Sequence, residues 1–311
     1  MNKSLLLSIA MFFLFFLVTD PQLNDSDDIF HFKLSQDLDN CPVPYEKSEC
    51  ENYPPLSHIL SSPFSFNRLA FKTFHLALLM IVIPLMLFYF TKRFSSTILY
   101  FGSYYLLVGA INFSLAQTFV VMQFLIFLYI KNKYLRFFLL FLGLVTHNSA
   151  IFLFALYWFL ETFSKEIKGF FLAIPSHPFL NGKINLFSGF VLFKKFFSQL
   201  NFLTISEGFS NIIKKQNWAF LMLILISVAM AFGSIRHLWV AQLLLVISAS
   251  HKELKDYEIV YSFYWIAFIF SWLYFANTLP NWILLNIVVA ATPLMLYFKY
   301  WKGGKPSENL N

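Results

Sequence analysis

Residues 69–90 read LAFKTFHLALLMIVIPLMLFYF, and this stretch decides the fold class. A helix of about 20 mostly apolar residues crosses a hydrocarbon core of about 30 Å, and this run is long enough. Its only ionisable residues are Lys72 and His75, in the first two turns, where a lysine can snorkel to the interface. Pro84 is placed to kink the helix. Thr91-Lys92-Arg93 follows at once, and a basic turn of this kind marks the cytoplasmic end of a span. The whole chain agrees, with 58% hydrophobic and 13% charged residues and a mean hydropathy of +0.64. A soluble domain carries about 25% charged residues. The 42 Phe residues read as lipid-facing bulk, not as a cofactor box. The net charge of +7 reads as basic cytoplasmic loop ends. No basic stripe interleaved with aromatics points to nucleic acid.

Working outward, residues 5–18 form an apolar run that stops at Asp20-Pro21. No small-residue cleavage site precedes Asp20, so the run is expected to be an uncleaved first helix with a cytoplasmic N-terminus. Residues 20–67 are then a large extracytoplasmic loop. After the second span come apolar runs at 96–111 and 113–130, joined at Asn112. A second basic turn, 131–136, follows. A fifth span is expected over 137–160, with Thr146-His147-Asn148-Ser149 near its centre. The segment 161–217 reads as interfacial or re-entrant, with the Lys194-Lys195 pair and one net crossing. Runs at 218–233, 235–250, 257–276 and 282–298 complete the set, and 299–311 is a polar tail. The expectation is an all-α, polytopic transmembrane helical bundle of about nine or ten spans. It forms a single membrane domain, 1–298, in the plasma membrane, or in the ER membrane of a eukaryote.

The loop holds the unusual chemistry. Residues 24–60 read NDSDDIFHFKLSQDLDNCPVPYEKSECENYPPLSHIL and carry eight of the 16 acidic residues in the chain. Asp25 and Asp27 stand at i and i+2, with Asp28 beside them. Such carboxylates suit a divalent cation, Mg or Mn, through hard oxygen ligands, or a general base. The plain alternative is a solvated acidic loop. Cys41 and Cys50 suit a local disulfide in an oxidising compartment. Two thiols, or a metal pair completed by His31 and His58, are the other readings.

The order Asp-x-Asp-x-x-Phe-His, from Asp25 to His31, directly follows the first apolar helix. Tyr53-Pro54-Pro55-Leu56 comes shortly before the second. This pattern resembles the GT-C superfamily of membrane glycosyltransferases, which includes oligosaccharyltransferase catalytic subunits and polyprenyl- or dolichyl-phosphate-sugar-dependent transferases. The resemblance covers about the first ninety residues. It implies that Asp27 is the principal catalytic carboxylate and Asp25 the other half of the acidic pair. It implies a substrate-binding role for His31 and Tyr53. The implied reaction takes a sugar from a polyprenyl-(di)phosphate-linked donor, at the lipid bilayer, to a glycan or protein acceptor on the extracytoplasmic side.

The leaving phosphate calls for cations, and Arg suits bidentate phosphate contact. Arg236 and His237 are candidates, with Arg68, Lys72 and His75 near the outer interface. The ordinary reading of Arg236 and Lys72 is snorkelling at a helix end. His147 stands near the middle of an apolar run, where an ionisable group is a functional candidate or a neutral histidine bonded to a neighbouring helix. Ala116-Gln117 and Thr146-His147-Asn148-Ser149-Ala150 resemble the O-antigen and exopolysaccharide polymerases, although the Arg usual before the Gln-containing helix is replaced here by Asn112-Phe113-Ser114. A transporter is the competitor from another class and predicts repeat symmetry with broken helices. No P-loop, zincin or nucleophile-elbow motif is present.

Overall fold

The structure is a computed structural model that describes residues 2–18, 26–37, 56–102, 115–165, 202–230 and 238–251, with single residues 254, 259 and 262. Of these, 89% are helical, and no strand occurs among them. Asp25, Cys41, Cys50, Tyr53, Arg236, His237, the tail 299–311 and most of 161–217 lie outside the described residues. Asp27 and Asp28 have a described backbone only.

The first helix, α1 (Asn2–Val18), packs on the run that opens the sequence reading. That run is one continuous 24-residue helix, Arg68–Thr91, made of α4 (Arg68–Ala77), a π-helical turn (Leu78–Val82) and α5 (Ile83–Thr91). Asn67 caps its start by accepting the Ala70 N–H at 2.7 Å, which satisfies one orphan donor of the first turn. The π turn has a local cause. Ile83 N–H donates to Leu78 C=O in the i→i−5 register. The next donor in that register is Pro84, which has no N–H, so Leu79 C=O loses its helical partner. The Tyr100 hydroxyl donates to it at 2.8 Å, from a fully buried position in the last turn of α6 (Phe94–Phe101). The kink expected at Pro84 is therefore a π turn stitched to the neighbouring helix.

Two short helices precede the long one, α2 (Ser26–Gln36) and α3 (Leu56–Ser61), the latter continued by a 3-10 turn (Ser62–Phe64). After α6 come α7 (Leu115–Tyr129), α8 (Lys133–Thr146), α9 (Asn148–Thr162), α10 (Phe202–Lys214), α11 (Trp218–Met230) and α12 (Leu238–Ala249). The main core gathers Phe15, Met80, Tyr100, Phe124, Phe127 and Phe154, with most of α12.

The expected fifth span is overturned. Residues 137–160 do not form one crossing, because α8 ends at Thr146, His147 is extended (φ −165°, ψ 136°), and α9 returns antiparallel. Arg136 at the start of α8 pairs with Glu161 at the end of α9. Midway, Gly143 faces Phe154 so closely that a Cβ would lie 2.9 Å from its ring. The polar run 146–149 competes with the helical backbone for hydrogen bonds, and the close approach at Gly143 makes the reversal compact. Each arm, 14 or 15 residues, is about 21–23 Å long, shorter than a bilayer core. Among the described residues, Arg68–Thr91 is the one helix long and apolar enough to cross a membrane.

The basic turns nevertheless collect at one end. Phe90 stacks on Tyr129 at 4.5 Å, so Lys92-Arg93 and Lys131 share an end. Thr97 bonds Ser4 of α1 at 3.1 Å, and Ser95 donates to Ser250 C=O at 3.0 Å. Lys215 and His251 border one cavity with Tyr129. Glu161, paired with Arg136, and Lys215 both lie at the basic end, and residues 166–201 between them lie outside the described residues. The helix ends that flank 231–237 point away from the basic end.

Two substitutions test these features. Tyr100→Phe leaves Leu79 C=O buried without a donor and is expected to cost about 1–3 kcal/mol, read as a lower Tm in detergent. The loss should shrink in a Pro84→Ala background, where a new N–H can reach that carbonyl. Gly143→Ala distinguishes the hairpin from a continuous helix. A continuous helix would gain up to about 1 kcal/mol from the better helix former. In the hairpin, the new methyl meets Phe154, which is held in stacked contact with Phe124 and Phe127, and a loss of about 1–3 kcal/mol is expected.

Candidate functional site

The acidic loop sends α2 back onto the bundle. Ser26-Asp27-Asp28 opens this helix, and carboxylates in a first turn face the positive end of the helix dipole. That is a local reason for the acidic run to start a helix and not remain loop. Asp27 and Asp28 stand one turn before His31 on the same helix.

From His31 onward the contacts are specific. His31 and His58 are buried and stacked, with ring centroids 5.2 Å apart and planes 17° apart. Ser35 Oγ donates to His31 C=O at 2.7 Å and lies 2.8 Å from Ser61 Oγ and 3.3 Å from His58 Nδ1. Ser61 Oγ donates to His58 C=O at 3.1 Å, and Ser65 Oγ to Ser61 C=O at 3.0 Å. Gln36 reaches over to donate to Ser65 C=O at 2.8 Å. A small polar core thus fastens α2 to α3, flanked by the Phe32–Phe71 edge contact, centroids 5.6 Å apart, that ties α2 to the long helix.

The long helix adds Lys72 and His75 at the same end, opposite the basic turns. Lys72 is 6% exposed and His75 fully buried. The expected snorkelling of Lys72 therefore does not describe it, since its side chain is enclosed on the inward face of α4. His75 Nε2 lies 2.7 Å from Thr118 Oγ1 on α7. Farther along α7, Gln123 donates to Thr146 Oγ1 at 2.7 Å, and Thr146 passes its own proton to Leu142 C=O at 2.8 Å. Thr146 immediately precedes the break at His147. His147 is thus a turn residue at a hairpin tip, not a mid-span histidine.

Of the candidates with described side chains, His31, Lys72 and His75 are inward residues of α2 and α4, whose faces meet at Phe32–Phe71, and His147 belongs to the α8–α9 turn. Arg68, half-exposed, begins α4. Among the described residues no group of three His, Cys, Asp or Glu converges on a metal position. Ser35, Ser61, Thr118 and Gln123 escaped the sequence reading. The signal for one of them was present: Ser57-His58, Ser61 and Ser65 recur one helical turn apart inside an otherwise apolar stretch, the mark of a buried polar stripe.

A second polar place lies at the opposite, basic end. It is a cavity of about 140 Å³ bordered by Tyr129, Asn211, Lys215, Asn217, Ser248 and His251. Burial, and then the charges of Lys215 and Arg93, hold the His251 pKa below its ordinary value. Three helices, α7, α10 and α12, end around this cavity. Cations there answer their terminal carbonyls.

Burial also holds His58 neutral, with its pKa lowered to about 4 against an opposing hydrogen bond to the His31 backbone. An undocked His58 titrates near 6.5. Between those values the undocked state binds more protons, so docking is complete above the upper value and weakens as pH falls toward the lower one. Amide exchange in α2 and α3, corrected for its intrinsic pH dependence, should therefore rise between about pH 7 and about pH 5. His58→Gln should flatten that rise.

Compared with known proteins, the chain matches no family model, no curated protein and no solved structure.

Proposed function

We propose that the protein is a polytopic membrane glycosyltransferase that moves a sugar from a polyprenyl-(di)phosphate-linked donor to an acceptor on the extracytoplasmic side. The observation that carries this reading is the docking of α2. The helix that begins with Asp27 and Asp28 is fastened by the His31–His58–Ser35–Ser61 core beside the outer end of the long apolar helix. A solvated acidic loop needs no such fastening.

The membrane setting draws support from two further features. Large apolar side chains stand exposed along α1 (Leu6, Ile9, Phe13) and along α8 (Phe137, Phe138, Phe141), and patches of this size face lipid or a partner. The basic turns share one end of the bundle, as expected of a cytoplasmic face. Several helices are too short for a perpendicular crossing, so the bundle combines one full-length helix with shorter, packed segments.

In this reading Asp27 takes the proton of the acceptor group, or orients that group, as the acceptor attacks the anomeric carbon. The bond from that carbon to the phosphate oxygen breaks, and the phosphate leaves with the electron pair. Lys72, with Arg236 and His237, is assigned to the leaving phosphate. Asp25 accompanies Asp27, with a Mg or Mn ion as the optional cation. The conservative variant Asp27→Asn should abolish transfer from a polyprenyl-linked donor in membranes while expression and Tm stay unchanged. Undiminished transfer would remove Asp27 and the reading built on it. A polymerase of O-antigen or exopolysaccharide type uses the same class of donor. The feature that favours it is the hairpin turn at His147, held beside Gln123 by Thr146.

A further inference from the structure

The stretch from Leu56 to Asn67 is inside out. All its buried residues are polar: Ser57, His58, Ser61 and Ser65. Its large apolar side chains point away from the protein, with Phe66 74% exposed, Ile59 50%, Leu60 45% and Phe64 38%. Leu69, 48% exposed, carries the same face into the start of the long helix. A segment in water shows the reverse pattern, with its apolar side inward. Chance scatter does not explain it either, because burial and polarity coincide at each buried position of the stretch.

The hydrogen bonds show why the polar side is inside. Ser35, Ser61, Ser65 and His58 Nδ1 bond one another and the α2 backbone, while Ser57 Oγ is buried with no hydrogen-bond partner among the described residues. In hydrocarbon, polar groups must be satisfied within the protein, and the Ser35, Ser61 and Ser65 hydroxyls meet that requirement through bonds inside the chain. Phe64 stacks on Phe74 of α4 with centroids 4.0 Å apart, which holds the 3-10 turn along the flank of the long helix.

We infer that residues 56–66 are embedded in the outer leaflet, with Ile59, Leu60, Phe64 and Phe66 against lipid acyl chains, and do not belong to an aqueous loop. The polar core on their inner side then lies below the headgroups, walled from lipid by these four side chains. The inference rests on the membrane reading given above and sharpens it. The extracytoplasmic loop ends near residue 55 and not at residue 67. A lipid-borne substrate meets α3 within the leaflet before it meets the acidic helix.

The test uses the full chain in vesicles of phosphatidylcholine, either plain or carrying bromine high on the acyl chains. Phe66→Trp and Leu60→Trp report on this segment, and Phe141→Trp, on the exposed face of α8, reports on the bundle. Each is read as emission in excess of the wild-type chain, which has its own Trp residues. The expected result is that bromine removes most of the added emission at positions 60, 66 and 141, while aqueous iodide leaves it unchanged. Loss of the emission at 60 and 66 to iodide, with position 141 still quenched by bromine, would overturn the inference and spare the membrane reading. It would show that this face meets water. Resistance of 60 and 66 to both quenchers would assign the face to a second copy or a protein partner and would equally overturn it. Indifference of all three positions to bromine would overturn the membrane reading along with the inference.

Discussion

Polar groups carried into this bundle are costly unless they find a partner inside the chain, and several contacts between helices follow from how they do so. An unpaired amide or carbonyl in an apolar interior costs several kcal/mol, which is comparable with the whole margin of stability of a domain. Pro84 deprives Leu79 C=O of its helical donor, and Tyr100 supplies one. That single bond fixes α6 against the long helix at mid-height. Thr118 does the same for His75, and Thr146 for Gln123, so α7 is pinned on two sides by side chains that have no other reason to be there. The acidic loop is fastened by the same rule, through Ser35 and Ser61.

Much of this was legible in the sequence at the level of composition and little at the level of geometry. The all-helical character, the long helix and the gathering of basic turns at one end all follow from hydropathy and charge, whereas the burial of Lys72 does not. The hairpin at His147 did not. Thr-His-Asn-Ser is a weak helix breaker taken alone, and an apolar run of span length on both sides outvoted it. Its reversal depends on Gly143 and Phe154 meeting across the turn and on Arg136 finding Glu161, contacts that exist only once the arms are folded. The acidic residues were easy to notice and hard to rank. The helix they begin is recognisable from Ser26-Asp27-Asp28, but the histidine pair that anchors it joins positions far apart in the chain.

The two ends of the molecule solve different electrostatic problems. At the basic end, helix C-termini converge and cations answer their carbonyls, as Lys215 and His251 do around the cavity. The distal end instead encloses some of its ionisable groups: His31, His58, Lys72 and His75 are buried, and His58 is held neutral. Lys33 of α2 and Asp37 just after it stand exposed beside this enclosed group.

The short α8–α9 hairpin has a consequence for the bundle as a piece of joinery. Its arms stop well below the height of the long helix, so the space over the tip has to be closed by something else, and α3 packs against both α7 and α8. The loop helices are therefore a keystone and not an appendage. Cutting away residues 26–66 would do more than remove the acidic run. It would strip α7 and α8 of the helix that packs against both of them.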